Sequence, residues 1–119
     1  MRVIMTGGGT GGHIYPAIAI ADRIKERNNN GEILFVGTKR GLEKEIVPKH
    51  GYDIKFITGR GINRSNPIKN FKVVKDYMKG KKEAKKIIEE FKPDLVIGTG
   101  GYVCGPVIKM ASKMGIKCY

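Results

Sequence analysis

Residues 5–16 combine a glycine-rich segment with one histidine, a composition suited to binding a phosphate group and moving a proton. The segment reads Met5-Thr6-Gly7-Gly8-Gly9-Thr10-Gly11-Gly12-His13-Ile14-Tyr15-Pro16. Glycines leave backbone N–H groups open to an anion, and the N-terminus of a following helix adds the positive end of its dipole. An imidazole exchanges protons near neutral pH, so His13 is a candidate general base. The alternatives are a tight turn for the glycines and a capping role for the histidine.

A second glycine-rich segment follows the apolar run Leu95–Gly98. It reads Thr99-Gly100-Gly101-Tyr102-Val103-Cys104-Gly105-Pro106 and again precedes a helical pattern. Ligands of open parallel sheets bind at the carboxyl ends of the strands, beside the point where strand order reverses. If the first and fourth strands are neighbours there, both segments face one crevice, and a diphosphate is a natural ligand for the pair. Cys104 is interpreted as a small packing residue.

The first segment also fits a dinucleotide-binding fingerprint, Gly7-x-Gly9-x-x-Gly12. That fingerprint requires an acidic residue after the second strand, to bind a ribose hydroxyl. Lys39 and Arg40 stand at this point, which excludes ordinary NAD binding and leaves only an NADP-like interpretation. A phosphate loop of the Walker type is excluded as well, because no Gly-Lys-Ser/Thr follows the glycines.

The elements that must position these segments alternate along the chain. Val/Ile-rich runs predict strands at Val3–Thr6, Ile33–Val36, Ile54–Ile57, Leu95–Gly98 and Ile116–Tyr119. Helical patterns occupy Pro16–Asn28, Leu42–Val47, Pro67–Phe91 and Pro106–Met114, with Gly80 a candidate break in the third. Nearly continuous apolar strands joined by helices predict an α/β fold with a Rossmann-like, doubly wound parallel sheet.

Composition narrows the class of protein and of partner. The length of 119 residues, with 40% apolar and 29% charged residues, predicts one globular domain. No apolar run in the sequence reaches the ~20 residues that a membrane span needs. Two cysteines favour a reducing compartment, and we expect no metal site and no cofactor. The net charge of +12 predicts an anionic partner: nucleic acid, an acidic membrane surface or a phosphorylated substrate.

The basic residues are concentrated in the third predicted helix, where they recur at helical spacing. Lysines at 72, 75, 79, 82 and 86 form a stripe beside apolar residues. One interpretation is a solvated face over ordinary core packing. The other is a membrane-facing surface, with Phe71, Val74 and Met78 touching acyl chains and Lys72, Lys75 and Lys79 touching anionic head groups. Nucleic acid is disfavoured, because no aromatic residues interleave with the basic ones.

Several motifs together resemble those of the MurG-type glycosyltransferases (glycosyltransferase family 28). The stretch from Gly8 to Ala17 resembles the first glycine loop of that family. Gly37-Thr38 with Leu42-Glu43, then Val47-Pro48-Lys49-His50-Gly51, resemble its next blocks, and Lys92 to Gly98 followed by Gly100-Gly101-Tyr102-Val103 resembles its second glycine loop. The likeness runs along the whole chain in the family's order. It implies the N-terminal half of a GT-B glycosyltransferase.

The resemblance also implies a reaction. These enzymes transfer N-acetylglucosamine (GlcNAc) from UDP-GlcNAc to the C4 hydroxyl of the N-acetylmuramic acid (MurNAc) unit in lipid I, which is undecaprenyl-diphosphate-linked MurNAc-pentapeptide. The product is lipid II for peptidoglycan. By this resemblance His13 is the catalytic base, and the remaining candidates bind substrate. They are Gly9, Thr10, Gly11, Gly12, Gly100, Gly101, Tyr102 and Gly105, of which residues 10–12 also reach the donor. Cys104 replaces the family's usual serine.

By the same resemblance, residues 1–119 are an incomplete N-terminal domain that binds the acceptor and faces the membrane. It would lie peripherally on the cytoplasmic side of the cell membrane. Its C-terminal partner domain, which holds most of the donor, is absent from the sequence, so the isolated chain is expected to be inactive. Two alternatives stay open: the acceptor-binding subunit of a split lipid-linked GlcNAc transferase, and an NADP-binding or anion-binding module.

Overall fold

The chain folds into a parallel sheet flanked by helices. The computed structural model describes residues 1–8, 11–27, 30–59, 67–101 and 103–119, with only the backbone of residues 67–73. Strands are β1 (Arg2–Thr6), β2 (Glu32–Gly37), β3 (Asp53–Phe56), β4 (Leu95–Gly98) and β5 (Lys117–Cys118). Helices are α1 (Gly11–Arg27), α2 (Glu43–Lys49), α3 (Pro67–Phe91) and α4 (Cys104–Lys113). The predicted alternation of strands and helices is confirmed.

The sheet has the strand order β3-β2-β1-β4-β5, and all its pairings are parallel. β1 and β4 are therefore neighbours, which meets the condition for a shared binding crevice, with Met5 paired to Ile97 and Thr6 to Gly98. The chain leaves β1 toward one edge of the sheet and later returns to β4 on the other side. This is the point where strand order reverses, and the loops after β1 and β4 lie next to each other there.

Alternate residues of the central strands enter separate apolar cores on the two faces of the sheet. Ile4, Leu34 and Val96 pack on one face with residues of α3 and α4. Met5 and Phe35 pack on the other face with residues of α1 and α2. Because a strand's side chains alternate between faces, continuous apolar strands are what a sheet covered on both sides requires. The α/β, Rossmann-like, doubly wound fold is confirmed.

Two helices begin earlier than the sequence predicts. α1 begins at Gly11 instead of Pro16, which brings Gly11, Gly12 and His13 into its first turn. Pro16 is tolerated inside the helix because its fixed φ is helical, although it cannot donate a hydrogen bond to the carbonyl of Gly12. α4 begins at Cys104, so that Pro106 occupies the first turn, where no backbone N–H is needed.

Gly80 does not break α3, contrary to the expectation from sequence. The helix is continuous from Pro67 to Phe91, and Gly80 is buried within it. A β-carbon at Gly80 would collide with the backbone carbonyl oxygen of Thr58. The glycine is thus required by the close approach of α3 to the segment after β3.

Candidate functional site

The loops after β1 and β4 touch through their backbones. The N–H of Gly8 donates to the carbonyl oxygen of Gly100 at 3.3 Å, and the N–H of Thr99 donates to that of Thr6 at 3.0 Å. Gly101 has a φ of +92°, and a β-carbon there would collide with the carbonyl oxygen of Gly8. The two glycine segments therefore lie side by side at the β1/β4 switch point, the place at which a doubly wound sheet has its binding crevice.

His13 lies in the first turn of α1, half-buried, and is held by the loop after β4. Its Nδ1 lies 3.3 Å from the carbonyl oxygen of Thr99, while the Thr99 hydroxyl donates to the carbonyl oxygen of His13 at 2.6 Å. A carbonyl oxygen only accepts, so this contact favours the tautomer with the proton on Nδ1. Nε2 then carries the lone pair that can take a proton from a ligand. Thr99 was not a candidate from sequence, because its role depends on the pairing of β1 with β4.

Both helices that begin at the crevice offer N-termini suited to an anion. Neither α1 nor α4 has an acidic residue in its first turn, and no side-chain hydrogen bond from Val103 caps α4. The first N–H groups of a helix have no intrahelical partner, and they carry the positive end of its dipole. Gly11 and Gly12 contribute such groups at the start of α1, and Gly105 does so at the start of α4.

The Cys104 side chain links the two loops, a role that the packing interpretation did not include. Its thiol lies 3.1 Å from the carbonyl oxygen of Thr6 and 3.0 Å from that of Gly100, and the Gly100 N–H donates to the sulfur at 3.3 Å. Burial raises the pKa of the Cys104 thiol above its ordinary value, which keeps it protonated as a donor. The Cys104 thiol therefore makes its hydrogen bonds with backbone groups of the two loops.

A buried carboxylate under the first glycine loop was not among the predicted site residues. Glu43 of α2 is only 1% exposed, and its Oε1 accepts from the backbone N–H of Thr38 at 2.9 Å and from the Thr38 hydroxyl at 3.0 Å. A β-carbon at Gly8 would lie 2.7 Å from this carboxylate. Glu43 therefore fixes the loop after β2 against the loop after β1. The sequence offered one signal for this role: Glu43 is an acidic residue at the start of the short helix that follows β2.

The predicted site residues fall into three groups. His13, Gly11, Gly12, Gly100 and Gly101 come together at the crevice, with Gly105 in the adjoining first turn of α4. Gly105 also packs against α3, because a β-carbon there would lie 3.6 Å from the Tyr77 ring. Gly9, Thr10 and Tyr102 lie outside the described residues. In the described part of the chain, no three His, Cys, Asp or Glu residues are placed to hold a metal ion.

Comparison with known proteins assigns a family to this arrangement. A family model described as the glycosyltransferase family 28 N-terminal domain matches residues 3–119. The chain belongs to this family. This membership agrees with the resemblance drawn from the motifs.

Family 28 relatives and a solved structure agree with this assignment. A protein of Alkaliphilus oremlandii named UDP-N-acetylglucosamine--N-acetylmuramyl-(pentapeptide) pyrophosphoryl-undecaprenol N-acetylglucosamine transferase is 61% identical over 117 residues. The protein of the same name from Lactobacillus helveticus is 57% identical over 118 residues. Each alignment covers 98% of this chain but 32% of the relative, so the chain spans about a third of their length.

The fold of the family 28 domain matches that of a MurG crystal structure. The structure of Acinetobacter baumannii MurG superimposes with a TM-score of 0.81 at 29% identity, covering 98% of this chain and 34% of the other. This agreement confirms the predicted identity of the fold as the N-terminal Rossmann-like domain of a GT-B glycosyltransferase.

Proposed function

We propose that this chain is the acceptor-binding domain of an inverting transferase that moves GlcNAc from UDP-GlcNAc to the MurNAc unit of lipid I, giving lipid II. One observation carries the proposal: both glycine loops meet at the crevice where Thr99 orients His13, in a family 28 domain. The relatives' names supply the substrates. The donor would be held by a C-terminal domain that lies outside this sequence, so the chain alone binds acceptor but does not turn over.

The acceptor's diphosphate would lie against the two loops. In the proposed complex the N-termini of α1 and α4 would present backbone N–H groups to the diphosphate, and no acidic residue opposes an anion in either first turn. Gly100 and Gly101 have φ values of +122° and +92°, which turn successive amides in directions that ordinary residues rarely reach. Gly9, Thr10 and Tyr102 keep their proposed roles as substrate contacts.

His13 would act as the general base. Its Nδ1 proton is directed to the carbonyl oxygen of Thr99, so Nε2 is the acceptor. As the MurNAc C4 oxygen bonds to the anomeric carbon of GlcNAc, the bond from that carbon to UDP breaks and the hydroxyl proton passes to Nε2. The configuration at the anomeric carbon is inverted because attack and departure occur on opposite faces. Removing the proton during attack avoids a charged oxonium at the acceptor oxygen.

The N-terminal half of α3 would face the cytoplasmic leaflet of the membrane. Val74 is 62% exposed and Met78 is 50% exposed, whereas Ala84 and Ile88 farther along the helix are buried in the core. Lys75 and Lys79 are exposed beside these apolar residues. In the described residues no helix has the length and apolarity to cross a bilayer. Phe71 and Lys72 belong to the same proposed surface, although their side chains lie outside the described part.

A cluster of lysines at the contact of α3 and α4 supports an anionic surface as the partner. Partial desolvation lowers the pKa of Lys81, and the neighbouring charges of Lys113 and Lys109 lower it further. Like charges gathered in this way repel one another, and an anionic head group relieves that repulsion. The cluster adds to the lysine stripe that the sequence revealed on α3.

A binding titration tests the acceptor role. We expect calorimetry to detect binding of a soluble acceptor analogue, a MurNAc-pentapeptide diphosphate with a short prenyl chain, to the isolated chain. NADPH should give no heat, because only the literal match Gly7-x-Gly9-x-x-Gly12 and the basic pair Lys39 and Arg40 favour it, and the family assignment favours a glycosyltransferase instead. Saturable NADPH binding without analogue binding would refute the proposed function.

Vesicle flotation tests the membrane surface. The wild-type chain should float with vesicles containing anionic phospholipid, and Lys75→Glu with Lys79→Glu should abolish flotation, because each basic residue near such a surface contributes ~1 kcal/mol. The matched control is Lys44→Glu with Lys49→Glu, which makes the same charge change on α2. Equal flotation of the wild type and the α3 variant would contradict the proposal.

A further inference from the structure

A second opening lies beside the glycine crevice, at the carboxyl ends of β2 and β3. It is a cavity of about 300 Å³ whose lining includes Thr38, Lys39 and Arg40 after β2, Phe56 and Thr58 of the β3 end, and Glu83 of α3. The proposed function uses none of these lining residues as a substrate contact. Lys39 and Arg40 argue against ordinary NAD binding and have no part in the proposed transfer.

Two exposed basic residues, Lys39 and Arg40, form the rim of this cavity and make it positively charged. Lys39 and Arg40 are both exposed, and neither forms an ion pair with any residue of the described ranges. The Lys39 ammonium lies 5.8 Å from the centre of the Phe56 ring, which holds it over the opening. Two adjacent cations that form no ion pair within the described ranges are suited to a ligand that carries negative charge.

The one acidic residue in the lining is turned toward the protein. The backbone N–H of Thr58 donates to Oε2 of Glu83 at 3.1 Å, and the Thr58 hydroxyl donates to Oε1 at 2.6 Å. Both carboxylate oxygens are therefore engaged by the floor of the cavity. Lys39 and Arg40 remain the charges that a ligand entering from solvent would meet.

The cavity is connected to the first glycine loop through packed side chains. Thr38 lines the cavity, and its N–H and hydroxyl donate to Glu43, whose carboxylate packs against Gly8. Neighbouring strands are about 4.8 Å apart, so the carboxyl end of β3 is about 10 Å from that of β1. An extended pentapeptide spans up to roughly 17 Å. A peptide attached to a sugar at the crevice can therefore reach the cavity.

We infer that this cavity binds a carboxylate of the acceptor's pentapeptide, through Lys39 and Arg40. The inference rests on the proposed function, which supplies an acceptor whose diphosphate occupies the glycine loops. A peptide joined to the sugar through its amino end keeps a carboxylate at its C-terminus. A guanidinium and an ammonium at the rim can bind that group by charge-assisted hydrogen bonds. The site would make binding selective for acceptors whose peptide carries a free carboxylate.

The test compares two acceptor analogues on the isolated chain by calorimetry. One is the MurNAc-pentapeptide diphosphate with a short prenyl chain, and the other is the same compound with its peptide carboxylates converted to primary amides. We expect the wild type to bind the acid about tenfold or more tightly than the amide. Lys39→Ala with Arg40→Ala should remove that preference and leave the affinity for the amide unchanged. Lys44→Ala with Lys49→Ala is the matched control and should retain the preference.

The outcomes separate this inference from the proposed function. If the wild type binds neither analogue, the proposed function itself fails. If both bind equally well to the wild type, or if the Lys39/Arg40 variant keeps the preference, the glycine crevice stands as the acceptor site and the cavity has no role. An equal loss of affinity for acid and amide in that variant would overturn the inference too, because the cations would then act on the diphosphate. Both side chains are exposed, so the variant should unfold at the wild-type temperature.

Discussion

His13→Ala is expected to lower kcat of the complete transferase by about 10²–10⁴-fold, the usual contribution of a general base. The alanine removes Nε2, the only described acceptor in the crevice that a neighbouring group orients for proton transfer. Binding of the acceptor should change little, because the diphosphate contacts are backbone amides. The measurement is steady-state transfer of labelled GlcNAc to a soluble lipid I analogue, with KM determined separately for each substrate.

The second histidine of the chain provides the matched control. His50 is the C-cap residue that follows α2; it is exposed and meets the Tyr15 ring edge-on with centroids 6.3 Å apart. His50→Ala makes the same chemical change away from Thr99, and its kcat should stay within a few-fold of wild type. A His13→Ala enzyme with kcat equally close to wild type would remove His13 from the role of base.

Gly101→Ala is expected to destabilise the domain and to weaken binding of the acceptor analogue by tenfold or more. A β-carbon at Gly101 would collide with the carbonyl oxygen of Gly8, and the φ of +92° is itself unfavourable for alanine. The collision can be relieved only by moving one glycine loop away from the other. We expect the left-handed strain alone to lower the free energy of unfolding by ~1–2 kcal/mol, and the collision to add to that loss.

A control at Gly51 separates strain from collision. Gly51 has a φ of +85°, and a β-carbon built there meets no heavy atom within 4 Å. In urea unfolding, Gly51→Ala should therefore lose only the free energy that the left-handed strain costs, and its binding of the acceptor analogue should be unchanged. If Gly101→Ala and Gly51→Ala lose the same free energy of unfolding and bind equally well, the two loops are not in contact as described.

The parallel, doubly wound sheet could be predicted from the sequence because it follows from local patterns. Continuous apolar runs indicate strands covered on both faces, and helical segments between them require parallel, right-handed connections. If the strands also follow the usual order of a doubly wound sheet, β1 lies beside β4, and the structure has this pairing. The contact between Gly8 and Gly100 follows from that one strand pairing, so the position of the site could be inferred from the sequence.

Helix boundaries were harder to predict because proline and glycine have several uses. Pro16 and Pro106 indicated helix starts, yet α1 and α4 begin before them. Gly80 indicated a break, yet its lack of a side chain serves a close approach to Thr58. The first turn of α4 tolerates Pro106, the fixed helical φ of Pro16 is compatible with α1, and a tertiary contact requires Gly80.

The supporting residues of the site could not be predicted because their partners are distant in the chain. Thr99 and His13 are 86 positions apart, and Cys104 and Thr6 are 98 apart. Glu43 has a near neighbour in Thr38, but its packing under Gly8 depends on how α2 crosses the sheet. Sequence identifies the residue types that could do chemistry, whereas strand pairing determines which groups orient them.

Amide chemical-shift mapping of the isolated chain tests the central claim most directly. The claim is that the two glycine loops form one binding site for the acceptor's diphosphate. Titration with the MurNAc-pentapeptide diphosphate analogue should shift the amide resonances of Gly8, Gly12, Gly100 and Gly101 together, with a single dissociation constant. Gly51 and Gly115, whose φ values are also positive but which lie outside the crevice, should not shift. Shifts confined to one loop, or no shifts in either at saturating analogue, would contradict the claim.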